Sequence, residues 1–290
     1  MRIGLGAVQF GLSYGVSNST GLVPLNEIKK VLNVAKHHGV QIIDTATGYG
    51  ISEKNLGKCL DLEHEFSIVT KTLPLDVTHI GHLEATHVRK TFEASLELLG
   101  QKAIYGLLVH QAADLLNPGG EKIYNLLLEL KRERFVKKIG VSVYEKDEID
   151  SLLDRYSLDI FQVPINVFDQ RLVKSGSLQR MNDAGIEVHA RSAFLQGILL
   201  MKSDELPQYF NPLRSWHKNY VETLDYAGIP KVAAALGFLN EFAEIKHAIV
   251  GVVTAEQLIE CASAVSHEVK IDFSSFAFDN VEMLDPRNWV

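Results

Sequence analysis

The chain has little cysteine. Cys59 and Cys261 are its only two, far apart in a sequence of 290 residues. That excludes a disulfide-stapled scaffold and fits two reduced thiols in a cytoplasmic protein. Proline is scarce as well, at 8 residues, and no low-complexity stretch, charge block or linker interrupts the chain, which excludes a disordered protein. Positive charge is in deficit: 29 Lys and Arg against 36 Asp and Glu leave a net charge of −7. Without a basic face to neutralise phosphates, neither nucleic acid nor an anionic membrane is an expected partner. No apolar run approaches membrane-spanning length, and Met1-Arg2-Ile3-Gly4-Leu5-Gly6 does not begin a cleavable leader. The expectation is a soluble, cytoplasmic protein, a monomer or small homo-oligomer.

What the chain does have is a large core and a rhythm. Hydrophobic residues make up 46% of it. Short apolar runs predict strands at Ile3–Gln9, Gln41–Asp44, Phe66–Lys71, Ile104–His110, Lys138–Ser142, Ile160–Val163, Ile186–Ala190 and Ala248–Val252. Between them lie helical patterns. Ile28, Val31, Leu32 and Ala35 sit at i, i+3, i+4 and i+7, as do Val232, Ala235, Leu236 and Leu239. A helix is also predicted over roughly Lys174–Ala184, Gly100 reads as a helix stop, and Thr254-Ala255-Glu256-Gln257 reads as a capping box. Eight alternations in 290 residues, about 36 each, predict a single-domain (β/α)8 TIM barrel over 1–290. A doubly wound open sheet is the runner-up, disfavoured because no G-x-G-x-x-G opens a helix after the first strand.

In a barrel the strand ends carry the chemistry. Here they are polar where the strands are not. Asp44 and Tyr49 leave strand two, Lys71 ends strand three and His110 ends strand four. Neighbouring strands lie about 5 Å apart, so these side chains can share one site. Lys71 follows Ile68-Val69-Thr70 and needs a counter-charge, which Asp44 supplies. A lysine ammonium beside a tyrosine hydroxyl lowers a phenol pKa that starts near about 10. Such a tyrosine can protonate a carbonyl oxygen as it becomes an alkoxide, and His110 can orient the same oxygen.

Asp44-x4-Tyr49, Lys71 in Val-Thr-Lys-Thr and His110 in Leu-Leu-Val-His resemble the catalytic tetrad of the aldo-keto reductase superfamily. The similarity runs through Gly4–Gly11, Ile139–Ser142, Gln162–Asn166 and Ser192–Gly197, essentially the whole chain. It implies a nicotinamide-dependent oxidoreductase that reduces an aldehyde or ketone, including a sugar-type carbonyl. Tyr49 would be the acid, Lys71 its partner, Asp44 the lysine's anchor and His110 the carbonyl orienter. The implied cofactor contacts are Gly6, Ala7, Ser142, Gln162, Arg191, Ser192, Phe194, Gln196, Gly251, Val252, Val253 and Gln257, with the phosphates near the loop after strand seven and the last helix's N-terminus. NADP(H) is favoured and NAD(H) admitted. The sequence departs from the family at Val143, where an Asn is common, at Arg191, where an aromatic is common, and at Gly251 and Gln257, where cations are common.

Other readings stand beside this one. The tetrad could serve a cofactor-sensing regulatory barrel, or Lys71 a Schiff-base lyase or isomerase. Asp44–Lys71 could be a structural ion pair alone. His79, His82 and His87 match no tight metal spacing, and no metal is expected. Gly15, Gly39 and Gly48 read as turn glycines with positive φ. The segment 199–228, with Tyr209, Phe210, Arg214, Trp216, Lys218, Tyr220 and Tyr226, is either a helical excursion packing its aromatics or a substrate lid. The tail with Phe273, Phe276, Phe278 and Trp289 reads as a clasp.

Overall fold

A computed structural model, which describes residues 1–61 and 64–289, folds as a closed barrel of eight parallel strands in sequence order. The strands are β1 (Arg2–Gly6), β2 (Ile42–Asp44), β3 (Ser67–Lys71), β4 (Ile104–Val109), β5 (Val136–Ser142), β6 (Ile160–Pro164), β7 (Glu187–Arg191) and β8 (Ile245–Gly251). β1 closes the ring against β8, pairing Gly4 with Ile249 and Gly6 with Gly251. The predicted (β/α)8 architecture is therefore the observed one.

Two apolar layers hold it. The larger lies between strands and helices, where amphipathic helices bury one stripe: Ile28, Val31, Leu32 and Ala35 of Leu25–His37 are such a stripe. The smaller fills the barrel, with Ile42, Val69, Leu108, Ile160 and Ile249. Glycines on β1 and β5 leave room beside them. A Cβ on Gly140 would stand 2.1 Å from Ile160 O, and one on Gly4 would stand 2.6 Å from Ile249 Cδ1. Among the described residues no helix is long and apolar enough to cross a membrane.

Several boundaries differ from the sequence reading, each for a local reason. β1 stops at Gly6, and Val8–Phe10 turns into a 3-10 helix, so Gln9 is not a strand end. The helix expected over Lys174–Ala184 is split into Arg171–Lys174 and Ser177–Asp183 by Gly176, which takes φ 74°. Gly15 and Gly39 have positive φ as expected; in the tyrosine loop it is Gly50, at 58°, and not Gly48. The Thr254 cap accepts from Gln257 N–H at 3.3 Å, but the Gln257 side chain returns to Val253 N–H (2.8 Å) instead of Thr254. Residues 199–228, read as a helical excursion or a lid, hold a 17-residue helix, Asn211–Ala227, with a buried stripe of Leu213, His217, Tyr220 and Leu224.

Candidate active site at the carboxyl ends of the strands

Strand ends deliver three of the four candidate residues. Asp44 ends β2, Lys71 ends β3 and His110 follows β4. Tyr49 comes from the loop after β2, a tight turn in which Tyr49 N–H donates to Ala46 O and Ser52 N–H to Tyr49 O, both at 3.0 Å. Gly11 lies directly against this turn. A Cβ there would stand 1.8 Å from Tyr49 O and 2.3 Å from Ser52 N, so only glycine lets the loop seat at this depth.

Lys71 is 1% exposed and is wired on every side. Its ammonium donates to Asp44 Oδ2 at 2.7 Å, Asp44 Oδ1 at 2.9 Å and Thr45 O at 3.0 Å, and it reaches the Tyr49 hydroxyl at 3.4 Å. Burial alone would lower the lysine pKa; Asp44 and Tyr49 outweigh it and the net direction is up. Lys71 is therefore a cation at neutral pH. Across the barrel, Gln162 Nε2 donates to Asp44 Oδ1 at 2.7 Å. The sequence assigned Gln162 to the cofactor. It does line the cavity, but its amide nitrogen belongs to the carboxylate that anchors the lysine.

The expected sign of the Tyr49 shift needs correcting. Enclosure of the phenol raises its pKa by more than Lys71 lowers it, because a buried phenolate would lose its water. The hydroxyl is thus protonated at neutral pH. His110 stands edge-on to the Tyr49 ring, with centroids 5.8 Å apart and planes at 82°. Burial, helped by the nearby Lys71 and Arg191 and opposed by Asp44, brings its pKa down to about 4, so the imidazole is neutral. Its Nδ1 is buried with no hydrogen-bond partner among the described residues.

These four residues open into a cavity of about 420 Å³. That volume lies within the range of small-molecule and cofactor sites. Every residue assigned to the cofactor from sequence lines it: Gly6 and Ala7 after β1, Ser142 and Gln162 from β5 and β6, Arg191, Ser192, Phe194 and Gln196 from β7 and its loop, and Gly251, Val252, Val253 and Gln257 beyond β8. The loop after β7 is backbone-strained. Ser192, Leu195 and Gln196 hold φ between 47° and 60°, a region costing non-glycine residues roughly 1–3 kcal/mol each. Arg191 lies 4.0 Å over the ring of Tyr144, and Arg287 from the C-terminal tail lies 3.6 Å from the same ring. Arg287 is paired with Asp285 at 2.5 Å. At the far end of the cavity the helix Ala255–Ala264 already has internal partners: Ala255 N–H donates to Glu27 Oε1 at 2.9 Å.

Sequence reasoning missed part of the wall. Tyr14, Gly15, Ser17 and Asn18 come from an irregular loop with no periodicity to flag it, and it reaches the cavity by lying on the β7 loop. The fit is close: a Cβ on Gly197 would stand 1.8 Å from Ser17 Oγ. Enclosure raises the Tyr14 phenol to about 12. Glu260 and Cys261 also line the cavity, one helical turn beyond Gln257. Conversely, only Leu200 of the segment 199–228 does. Trp216 Nε1 donates to Phe276 O at 2.8 Å, Tyr220 packs on Phe168 and Phe276 at 5.4 Å each, and Arg214 donates to Ser203 O at 2.5 Å and Leu206 O at 2.6 Å.

The sequence matches the model of the Aldo/keto reductase family over residues 2–276. The chain belongs to the aldo/keto reductase family. Within it, a stretch of 179 residues is 29% identical to an NADH-specific methylglyoxal reductase of Escherichia coli (strain K12), covering 56% of this chain and 54% of that protein. The match thus spans about half the length of the curated relative. The fold is shared with an aldo-keto reductase from Bacillus halodurans in its holo form, at TM-score 0.75 and 16% identity over 95% of this chain and 92% of the other. It is shared too with a glycerol dehydrogenase from Gluconobacter oxydans, at TM-score 0.72 and 19% identity over 93% and 88%.

Proposed function

We propose that this aldo/keto reductase reduces a short aldehyde or ketone to an alcohol, with a reduced nicotinamide as hydride source and Tyr49 as proton donor. The observation that carries the reading is the wiring of Lys71 between Asp44 and the Tyr49 hydroxyl at the cavity floor. A carbonyl oxygen placed between Tyr49 and His110 meets a protonated phenol and a neutral imidazole. As negative charge grows on that oxygen, the Tyr49 proton moves to it. The buried Lys71 cation then stabilises the phenolate left behind, which its surroundings otherwise disfavour. Asp44 and Gln162 keep the ammonium from swinging away. A Schiff-base role for Lys71 is poorly served, since it requires the free amine and the pKa shift is in the opposite direction.

The cavity wall suits a dinucleotide. Gly6 and Gly251 line it without side chains, and at Gly251 this seats the Gln9 amide against β8, since a Cβ there would fall 2.6 Å from Gln9 Nε2. Gln9 Oε1 is buried without a partner among the described residues. Residues Gly6, Gly251, Val252 and Ser192 would hold the cofactor, which supplies the hydride when bound. NAD(H) fits this wall better than NADP(H). Among the residues that line the cavity, Gln257 and Glu260 mark the far end without a cation, and Glu27, itself ion-paired with Lys30 at 3.0 Å, already occupies the helix N-terminus. A 2′-phosphate would meet Glu260 there with Lys30 already engaged by Glu27. The NADH specificity of the Escherichia coli relative supports the same preference. The contacts of Trp216 and Arg214 support a packing role for 199–228 instead of a lid.

The test is turnover of a generic short aldehyde by wild type and Tyr49→Phe, with cofactor binding followed by fluorescence. The variant should lose about 10²–10⁴-fold in kcat while binding NADH within about twofold of wild type. Equal turnover in the two proteins would refute the proton role, and NADPH bound more tightly than NADH would refute the cofactor preference.

A further inference from the structure

The barrel's other end holds a second polar cluster that the proposed reaction does not use. Glu187 opens β7, with His189 two residues on and Arg191 two beyond that, so all three face the barrel interior. Arg191 reaches the cavity at the carboxyl end, and Glu187 and His189 lie at the amino end. The β7–β8 register sets His189 opposite His247, next to an irregularity at Val188/His189. The two imidazole rings meet edge to face with centroids 5.0 Å apart. Glu187 Oε1 lies 2.8 Å from His189 Nε2 and 3.9 Å from His247 Nε2. Its other oxygen accepts from Tyr105 OH at 2.9 Å and Lys138 Nζ at 2.5 Å.

We propose that Glu187, His189 and His247 form a binding site for a first-row divalent cation of the Zn²⁺ class at the amino end of the barrel. One donor atom of each residue lies within 4.8 Å of the other two, close enough to converge on one ion with little movement. Two imidazoles and a carboxylate suit zinc and its neighbours better than calcium or magnesium. The second observation is His247 itself. It is 4% exposed and makes no hydrogen bond among the described residues, yet its Nε2 is turned toward the carboxylate. The other shell is in place too, since Tyr105 and Lys138 fix the carboxylate as outer-shell groups fix metal ligands.

Loading the site requires the Nε2 proton of His189 to leave its bond to Glu187 and settle on Nδ1. That nitrogen lacks a partner in either tautomer, so the shift exchanges one orphan for another. Lys138 already offsets the Glu187 charge. Three protein donors leave the fourth position of a tetrahedral ion to an exogenous ligand, so the affinity should fall short of that of a closed structural zinc site. Its effect would be to tie β7 to β8 where their register is irregular.

The test uses the full chain stripped with a chelator, titrated with ZnCl2 by calorimetry and with CoCl2 by visible absorption. The proposal expects one ion per chain, a four-coordinate Co²⁺ spectrum and a raised Tm. Binding should weaken at least tenfold, about 1.4 kcal/mol, in His247→Gln. A control with H79Q, H82Q and H87Q together, all exposed positions, should bind as wild type does. Absence of stoichiometric binding by wild type, unchanged binding in His247→Gln, or loss confined to the triple variant would each overturn it. Should His247→Gln not fold, imidazole ¹⁵N spectra of wild type decide the matter: Zn²⁺ must shift His189 and His247, and shifts of exposed histidines alone overturn the site.

Discussion

Replacing Asp44 with Asn tests the buried wiring most directly. The change keeps the shape of the side chain and removes its charge. Lys71 would keep Thr45 O, the Tyr49 hydroxyl and one amide oxygen as partners but lose its only carboxylate, now 2.7 Å away. At 1% exposure the ammonium cannot recruit water instead. Breaking one side of a buried ion pair costs about 3–5 kcal/mol. Because an amide still accepts one bond, we expect the low end, about 3 kcal/mol at pH 7, or roughly 5–10 °C in Tm. The pH dependence provides a sharper signature. In wild type the Lys71 pKa is raised on folding, so its contribution is fully present below the unfolded value of about 10.4 and is lost as pH rises through the folded value. In the variant the ammonium is buried without a counter-charge and its folded pKa falls below the unfolded one. The unfolded chain then binds the extra proton, and stability rises with pH toward about 10. Urea unfolding followed by circular dichroism at pH 7 and pH 9.5 reads both effects. A variant with the same midpoint as wild type at both pH values would refute the claim that Asp44 is what keeps Lys71 charged.

Three further outcomes follow from the geometry. Gly11→Ala places a methyl carbon 1.8 Å from Tyr49 O, so it should destabilise the fold by at least about 2 kcal/mol and lower kcat by displacing the tyrosine loop; denaturation and kinetics on the purified variant check this. His110 is neutral when folded, with its pKa near 4. Between the unfolded value of about 6.5 and that folded value, the unfolded chain carries a proton the native one lacks. Stability should therefore fall as pH drops from about 6.5 to 4, and His110→Gln should flatten part of that slope in pH-dependent melting. Trp216→Ala loses the bond to Phe276 O and the packing on Phe278 and, because the side chain is part-exposed, should cost about 1–2 kcal/mol while leaving KM for the aldehyde within twofold; a large KM change would restore the lid reading.

Much of the fold was legible because its signals are local. Short β-rich runs alternating with 3.6-periodic stripes report burial directly, and eight repeats in one chain leave few architectures. The candidate tetrad was legible for a related reason: Asp44, Lys71 and His110 are polar residues at the ends of otherwise apolar strands, where a barrel puts its chemistry. What was not legible depends on contacts made across the barrel or between loops. Gln162 reads as a cofactor contact from its position, and nothing in sequence reveals that its amide also reaches Asp44 from the opposite wall. The loop carrying Tyr14, Ser17 and Asn18 has no periodicity, and only its seat against Gly197 brings it to the cavity. For residues 199–228 the sequence left a helical excursion and a lid side by side, because the contacts that seat the helix Asn211–Ala227, such as His217 with Ile198 O and Ser203 Oγ, are tertiary.

By itself, then, the sequence determined the barrel and the four residues at three neighbouring strand ends, because strand order and residue type are sufficient for both. Only the tertiary structure decided the protonation states. Whether the Tyr49 pKa rises or falls was a matter of sign between burial, which raises it, and the Lys71 charge, which lowers it, and that balance depends on how much water each group has lost. It fixed Tyr49 as a phenol, His110 as a neutral ring and Lys71 as a cation. It also gathered Glu187, His189 and His247 at the opposite end of the same barrel, a meeting of two strands that the 57 residues between His189 and His247 conceal from any linear reading.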